Sequence, residues 1–176
     1  MMRLLLALIV FVFAAPAHAD PQGALANESG QKFETQITDL LIARNFKIEK
    51  SAGDSKDRIA IRQPPYTTVY GNPGRCDFML HAPELTDDVW IETKNMESAG
   101  SVDEKLPHTF LNALSANPGK HVIIIVDGDG WRPGALEWLR TAAKDDRWKS
   151  FANDTDKRVE IMSPDEFQNW LNKTFP

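Results

Sequence analysis

The chain of 176 residues has a single cysteine, Cys76, which excludes an internal disulfide framework and any multi-cysteine zinc site. Basic residues are in the minority. Twenty Lys and Arg against 25 Asp and Glu give a formal net charge of −5, so no broad basic surface supplies nucleic-acid affinity, although a local basic groove stays open. Beyond Ala15 no apolar run approaches membrane length, and there is no internal repeat or low-complexity tract. A Gly-rich phosphate loop, a Gly-x-Ser-x-Gly elbow and a Cys/His dyad in suitable context are also missing. With 42% hydrophobic and 26% charged residues, the composition fits a soluble globular protein rather than a disordered or multispanning one.

What is present begins with a short basic start, Met1-Met2-Arg3. An unbroken apolar run from Leu4 to Ala15 follows, and then the small-x-small triplet Ala17-His18-Ala19. That order predicts a secretory signal peptide over residues 1–19, cleaved near Ala19, because the run is too short to span a bilayer. The expected location is periplasmic or secreted, with no membrane attachment after cleavage. In that oxidising setting an unpaired Cys76 is expected to be a buried thiol.

Residues 20–28 are small and polar and read as a loose leader, leaving residues 29–176 as one α/β domain. Phe33, Ile37, Leu40 and Leu41 have the spacing of one helix face, with Ser29 as its expected cap and Asn45 as its stop. Short β-type runs follow at 46–48, 59–61, 67–70, 76–80 and 89–93, and Pro64-Pro65 and Asn72-Pro73-Gly74 read as turns between them. Pro107 suits the first turn of a helix ended by Asn117-Pro118-Gly119. The continuous run Val122-Ile123-Ile124-Ile125-Val126 predicts a strand covered on both faces. A helix over 133–143, a strand over 159–162 and a helix started by Ser163-Pro164-Asp165-Glu166 complete the chain. The expected architecture is a mixed central sheet of four to five strands flanked by helices.

The stretch with chemistry in it is Gly74-Arg75-Cys76-Asp77-Phe78-Met79-Leu80, followed by Val89-Trp90-Ile91-Glu92-Thr93-Lys94. Glu92 and Lys94 are two apart on one strand, so their side chains leave the same sheet face. If Asp77 lies on the neighbouring strand, two carboxylates and an amine converge, and two carboxylates make a hard oxygen site for Mg²⁺ or Mn²⁺. Acidic-x-Lys triplets occur three times, at Asp54-Ser55-Lys56, Glu92-Thr93-Lys94 and Asp103-Glu104-Lys105. Only the second continues an apolar strand and follows a strand that carries an aspartate.

Asp77 followed by Glu92-Thr93-Lys94 resembles the PD-(D/E)XK nuclease superfamily, the restriction-endonuclease-like fold, with Cys76 where the family name has proline. Glu34 on the first helix matches an acidic residue that many members place beside the metal. The segment Gly100-Ser101-Val102-Asp103-Glu104-Lys105 is similar to the Gly-Ser…Glu-Lys loop of one phage and bacterial branch. The resemblance implies a divalent-metal-dependent hydrolase of nucleic acid, with DNA in the first instance. Asp77, Glu92 and Glu34 would be metal ligands, with Glu34 acting directly or through a bound water. Lys94 would position the attacking water, and Lys105, Glu104, Ser101 and Arg75 would be substrate contacts. A non-catalytic periplasmic interaction module on the same fold, and a secreted effector with a cognate inhibitor, are the alternatives.

Asp127 and Asp129 between glycines suggest a calcium loop, but the twelfth position from Asp127 is Trp138, not a closing glutamate. His81, His108 and His121 have no ligand spacing, and Trp131, Trp138 and Trp148 read as packing. Phosphate binding needs several cations. Lys47, Lys50, Lys56, Arg58 and Arg62, joined by Arg75, Lys94 and Lys105, are expected to form one basic rim.

Overall fold

The computed structural model describes residues 21–51, 56–97 and 101–176, with side chains described from residue 28 and, after the last break, from residue 103. The expected signal peptide over residues 1–19 lies outside the described residues, as does Asp54. The elements in chain order are α1 (Pro21–Ile42), β1 (Lys47–Glu49), β2 (Ile59–Arg62), β3 (Pro65–Thr67), β4 (Pro73–Arg75), β5 (Phe78–His81), β6 (Val89–Asn95), α2 (Lys105–Leu111), β7 (His121–Asp127), α3 (Pro133–Ala142), β8 (Arg158–Met162) and α4 (Pro164–Thr174). No described helix is long and apolar enough to cross a membrane.

The β-branched run of β7 lies inside the sheet, between β6 and β8, and pairs parallel with both. Its alternate side chains feed two cores. Ile123 and Ile125 pack with Phe33, Ile37 and Leu41 of α1 and with Phe167 and Leu171 of α4. Val122, Ile124 and Val126 pack with Leu106 and Phe110 of α2 and Leu139 and Ala142 of α3. A strand covered by helices on both faces has no polar side, which is why its sequence shows no alternation.

The sheet is mixed, as expected, but has six strands rather than four or five, in the order β1-β2-β5-β6-β7-β8. A separate antiparallel hairpin, β3 with β4, accounts for the two proline segments read as turns. In a two-stranded ribbon each strand has an unpaired edge, so Pro65 and Pro73 are tolerated there. The residues read as a loose leader also differ, because 21–28 belong to α1 and Ser29 lies inside that helix. Asn45, with φ 62°, takes the left-handed conformation just past the end of α1, in keeping with its expected role as a stop.

The start of α4 follows the sequence closely. Ser163 Oγ accepts from the Glu166 backbone N–H at 3.2 Å, and Glu166 Oε2 accepts from the Ser163 N–H at 2.7 Å. Replacing Ser163 with alanine removes half of this reciprocal cap. The expected loss is about 1 kcal/mol, read as a melting temperature lower by about 3 °C. A melting curve that coincides with the wild type would show the cap to be energetically silent.

Candidate active site

β5 and β6 pair antiparallel, with Phe78 opposite Ile91 and Met79 opposite Trp90. One further step in that register sets Asp77 opposite Glu92, at the end of the ladder where the strands begin to part. Glu92 and Lys94 alternate in phase with Trp90, so they leave β6 on the face covered by α2. The side chains of Glu92 and Lys94 are ion-paired and only 19% and 26% exposed. Lys94 Nζ also donates to the Thr93 carbonyl at 3.1 Å.

Asp77 is held by a residue that the sequence reading passed over. Its Oδ2 accepts from the Thr93 backbone N–H at 2.6 Å and from the Thr93 hydroxyl at 2.7 Å. Thr93 is the middle residue of the triplet, and its buried hydroxyl ties the aspartate to the strand that carries the other two groups. Asp77 Oδ1 accepts no hydrogen bond among the described residues, so it is free to meet a ligand.

Burial governs the electrostatics. It pushes the Glu92 carboxyl up, Lys94 pulls it back, and Asp77 adds to the rise, leaving the group above its ordinary value. Burial alone would push the Lys94 amine down, but Glu92 and Asp77 outweigh it and hold the ammonium above its usual range. Lys94 therefore stays charged at neutral pH and acts as a cation and donor rather than as a base. Burial also pushes the Tyr66 phenol up to about 12 and the Cys76 thiol well up, so both are neutral. Cys76 Sγ donates to the Ile91 carbonyl at 3.0 Å, and the thiol is buried, as expected.

Glu92 and Lys94 line a cavity of about 370 Å³, together with Arg75, Lys105, Tyr66 and His108. Larger clefts lie along α3 and beneath Trp170, away from the acidic pair. Among the described residues Arg75 and Lys105 are exposed and have no acidic partner. Of the other cations expected in the rim, Lys50 and Lys56 are exposed, and three are drawn into ion pairs. Lys47 pairs with Asp57, Arg58 with Glu84, and Arg62 with Glu34, each within 3.0 Å. Arg75 and Lys105 are thus left with unpaired charge beside Lys94, on the wall of the cavity.

Glu34 and Glu104, like Asp77 itself, do not line the cavity. Glu34 is on α1, where its Oε2 accepts from Arg62 Nη2 at 3.0 Å. Glu104 is exposed at the turn before α2. Ser101 opens the 3₁₀ turn Ser101–Glu104, and its side chain lies outside the described residues. Among the described residues no three His, Cys, Asp or Glu side chains gather closely enough to hold a metal ion, so the three-carboxylate set is not assembled. The pair that is assembled still fits a divalent cation. Asp77 offers a free oxygen, Glu92 is a desolvated carboxyl that gains from a positive charge, and hard oxygen donors suit Mg²⁺. One or two carboxylates plus water and phosphate is that ion's ordinary protein environment.

No curated protein and no solved structure gives a significant match to the chain. The family model for the PD-(D/E)XK nuclease superfamily domain matches residues 25–175, which takes in most of α1, the whole six-stranded sheet, the Asp77–Glu92–Lys94 corner and all of α4. By that match, and by a helix-flanked mixed sheet with the acidic pair and lysine at one end, the chain belongs to the PD-(D/E)XK nuclease superfamily.

Proposed function

We propose that the protein is an exported, divalent-metal-dependent nuclease that hydrolyses phosphodiester bonds of nucleic acid, with DNA as the first substrate to test. The observation that supports this reading is the Glu92–Lys94 pair, set beside Asp77 and opening into a cavity flanked by the unpaired cations Arg75 and Lys105. Export rests on the basic, apolar and small-x-small order of residues 1–19.

Asp77 and Glu92 would hold the cation, which would supply Lewis-acid polarisation of the phosphate and an acidified water. Thr93 keeps Asp77 in place through two hydrogen bonds. Lys94, anchored by Glu92 and fully charged, orients the attacking water and donates to the phosphate oxygens as negative charge builds. Arg75 and Lys105 neutralise the flanking phosphates and set the strand in the cavity. Glu34 keeps Arg62 at the neighbouring end of β2 rather than taking a direct part.

The test incubates the protein with linear and circular DNA and with RNA, in Mg²⁺, Mn²⁺ or EDTA, beside Asp77→Ala. Cutting that needs metal, and that falls at least about 100-fold in the variant, is the expected result. The pairing of Glu34 with Arg62 favours a second reading, a non-catalytic interaction module. Absence of cutting with every metal, together with a melting temperature indifferent to added metal, would establish that module instead.

A further inference from the structure

The β3–β4 hairpin carries an aromatic feature that the hydrolytic reading does not use. At its tip Tyr70 is 74% exposed and lies against His108, with ring centroids 5.0 Å apart and planes 18° from parallel. His108 belongs to α2 and lines the same cavity as Glu92 and Lys94. The pair therefore forms a step from the cavity wall out to solvent. Among the described residues no other ring packs on Tyr70, so its outer face is open.

The step is held in place by Asn112. This buried amide accepts the Val69 backbone N–H at 2.9 Å through Oδ1, which fastens the hairpin tip. Its Nδ2 lies 3.0 Å from His108 Nε2 and donates to the His108 carbonyl at 3.1 Å. One side chain thus sets both the tip and the ring behind it. Gly71, with φ 77°, closes the turn in a conformation that glycine adopts without strain. The base of the same hairpin carries Arg75, paired with Pro65.

We propose that Tyr70 and His108 form a base-stacking platform, and that the cavity takes nucleic acid at unpaired nucleotides, in single strands or frayed ends, rather than inside a duplex. An open aromatic face beside backbone-binding cations is the arrangement that binds single strands without reading sequence. A base inside a duplex already has both faces covered and cannot reach the platform unless it is turned out. This inference rests on the proposed nuclease site for its substrate class.

The test is binding, read by fluorescence anisotropy in EDTA so that no cutting is needed. The probes are a short labelled oligodeoxythymidylate, the oligoribothymidylate of the same length, and a blunt DNA hairpin closed by a non-nucleotide linker so that no base is left unpaired. Tyr70→Ala is expected to weaken single-strand binding about tenfold, within the usual range for one lost stacking partner, while Tyr70→Phe keeps it and the blunt hairpin is barely affected. Loss with either single strand supports the platform, and the arm that loses more names the sugar it meets. Unchanged single-strand binding by a folded Tyr70→Ala, or an equal loss on the blunt hairpin, overturns it. Tyr70-dependent binding without any cutting in Mg²⁺ or Mn²⁺ would leave the platform standing and remove only the hydrolytic reading.

Discussion

Replacing Lys94 with alanine is expected to lower phosphodiester cleavage by about 100- to 1000-fold, the usual cost of removing one preorganised charge-stabilising donor. The loss should fall on kcat more than on KM, because Arg75 and Lys105, proposed to take the flanking phosphates, are left in place. The same substitution strips a buried carboxyl of its counter-charge. Glu92 is 19% exposed, so the remaining charge is poorly solvated, and the metal-free protein should lose about 3 kcal/mol, the lower end of the range for breaking a buried pair. Added Mg²⁺ should recover much of that stability without recovering activity, since the cation replaces the charge but not the donor. Lys94→Arg separates the two roles. Its charge should preserve the melting temperature, while its planar fork cannot reproduce a compact ammonium, so cleavage stays low. Wild-type rates in Lys94→Ala would remove the lysine from the chemistry altogether.

Gly128→Ala should lower stability by about 3 kcal/mol, which for a domain of this size is about 10 °C in melting temperature. Gly128 has φ 94°, and a Cβ there would stand 2.2 Å from the Met96 carbonyl oxygen. That oxygen cannot retreat freely, because it accepts from the Gly130 N–H at 2.8 Å, and the Met96 N–H in turn donates to the Asp127 carbonyl at 3.1 Å. The strain falls where β6 ends, two residues beyond Lys94, so cleavage should suffer along with stability. Gly30→Ala is the matching control. A Cβ on this glycine within α1 meets nothing within 4 Å, and the change should stabilise by about 0.5–1 kcal/mol. Equal melting temperatures for the two variants would dispose of the steric account.

The Asp127-Gly128-Asp129-Gly130 segment illustrates why a motif needs its surroundings. In sequence it resembles part of a cation loop. In the structure its first glycine answers to a backbone crowding against β6, and Trp131 Nε1 donates back to the Asp127 carbonyl at 2.7 Å to close the turn. The tryptophans read as packing do pack. Trp138 and Trp148 stand edge-on to Phe110 at 6.0 and 5.7 Å.

Local chemistry was enough to determine much of this protein. The α1 face of Phe33, Ile37 and Leu41, the two-sided strand around Ile124, the Ser163 capping box and the shared face of Glu92 and Lys94 all follow from periods of 3.6 and 2 or from short-range hydrogen bonds. Those rules act over a few residues and can be read in one dimension. Tertiary structure decided which charges remained available and which rings met. Arg58 and Arg62 became structural because Glu84 and Glu34, 26 and 28 residues away in the chain, reached them first. Arg75 and Lys105 stayed free for the opposite reason. Thr93 gained its hold on Asp77, and Tyr70 its place on His108, only when separate strands and a helix came together. Pairing energies depend on distance in space, and a sequence records distance only along the chain.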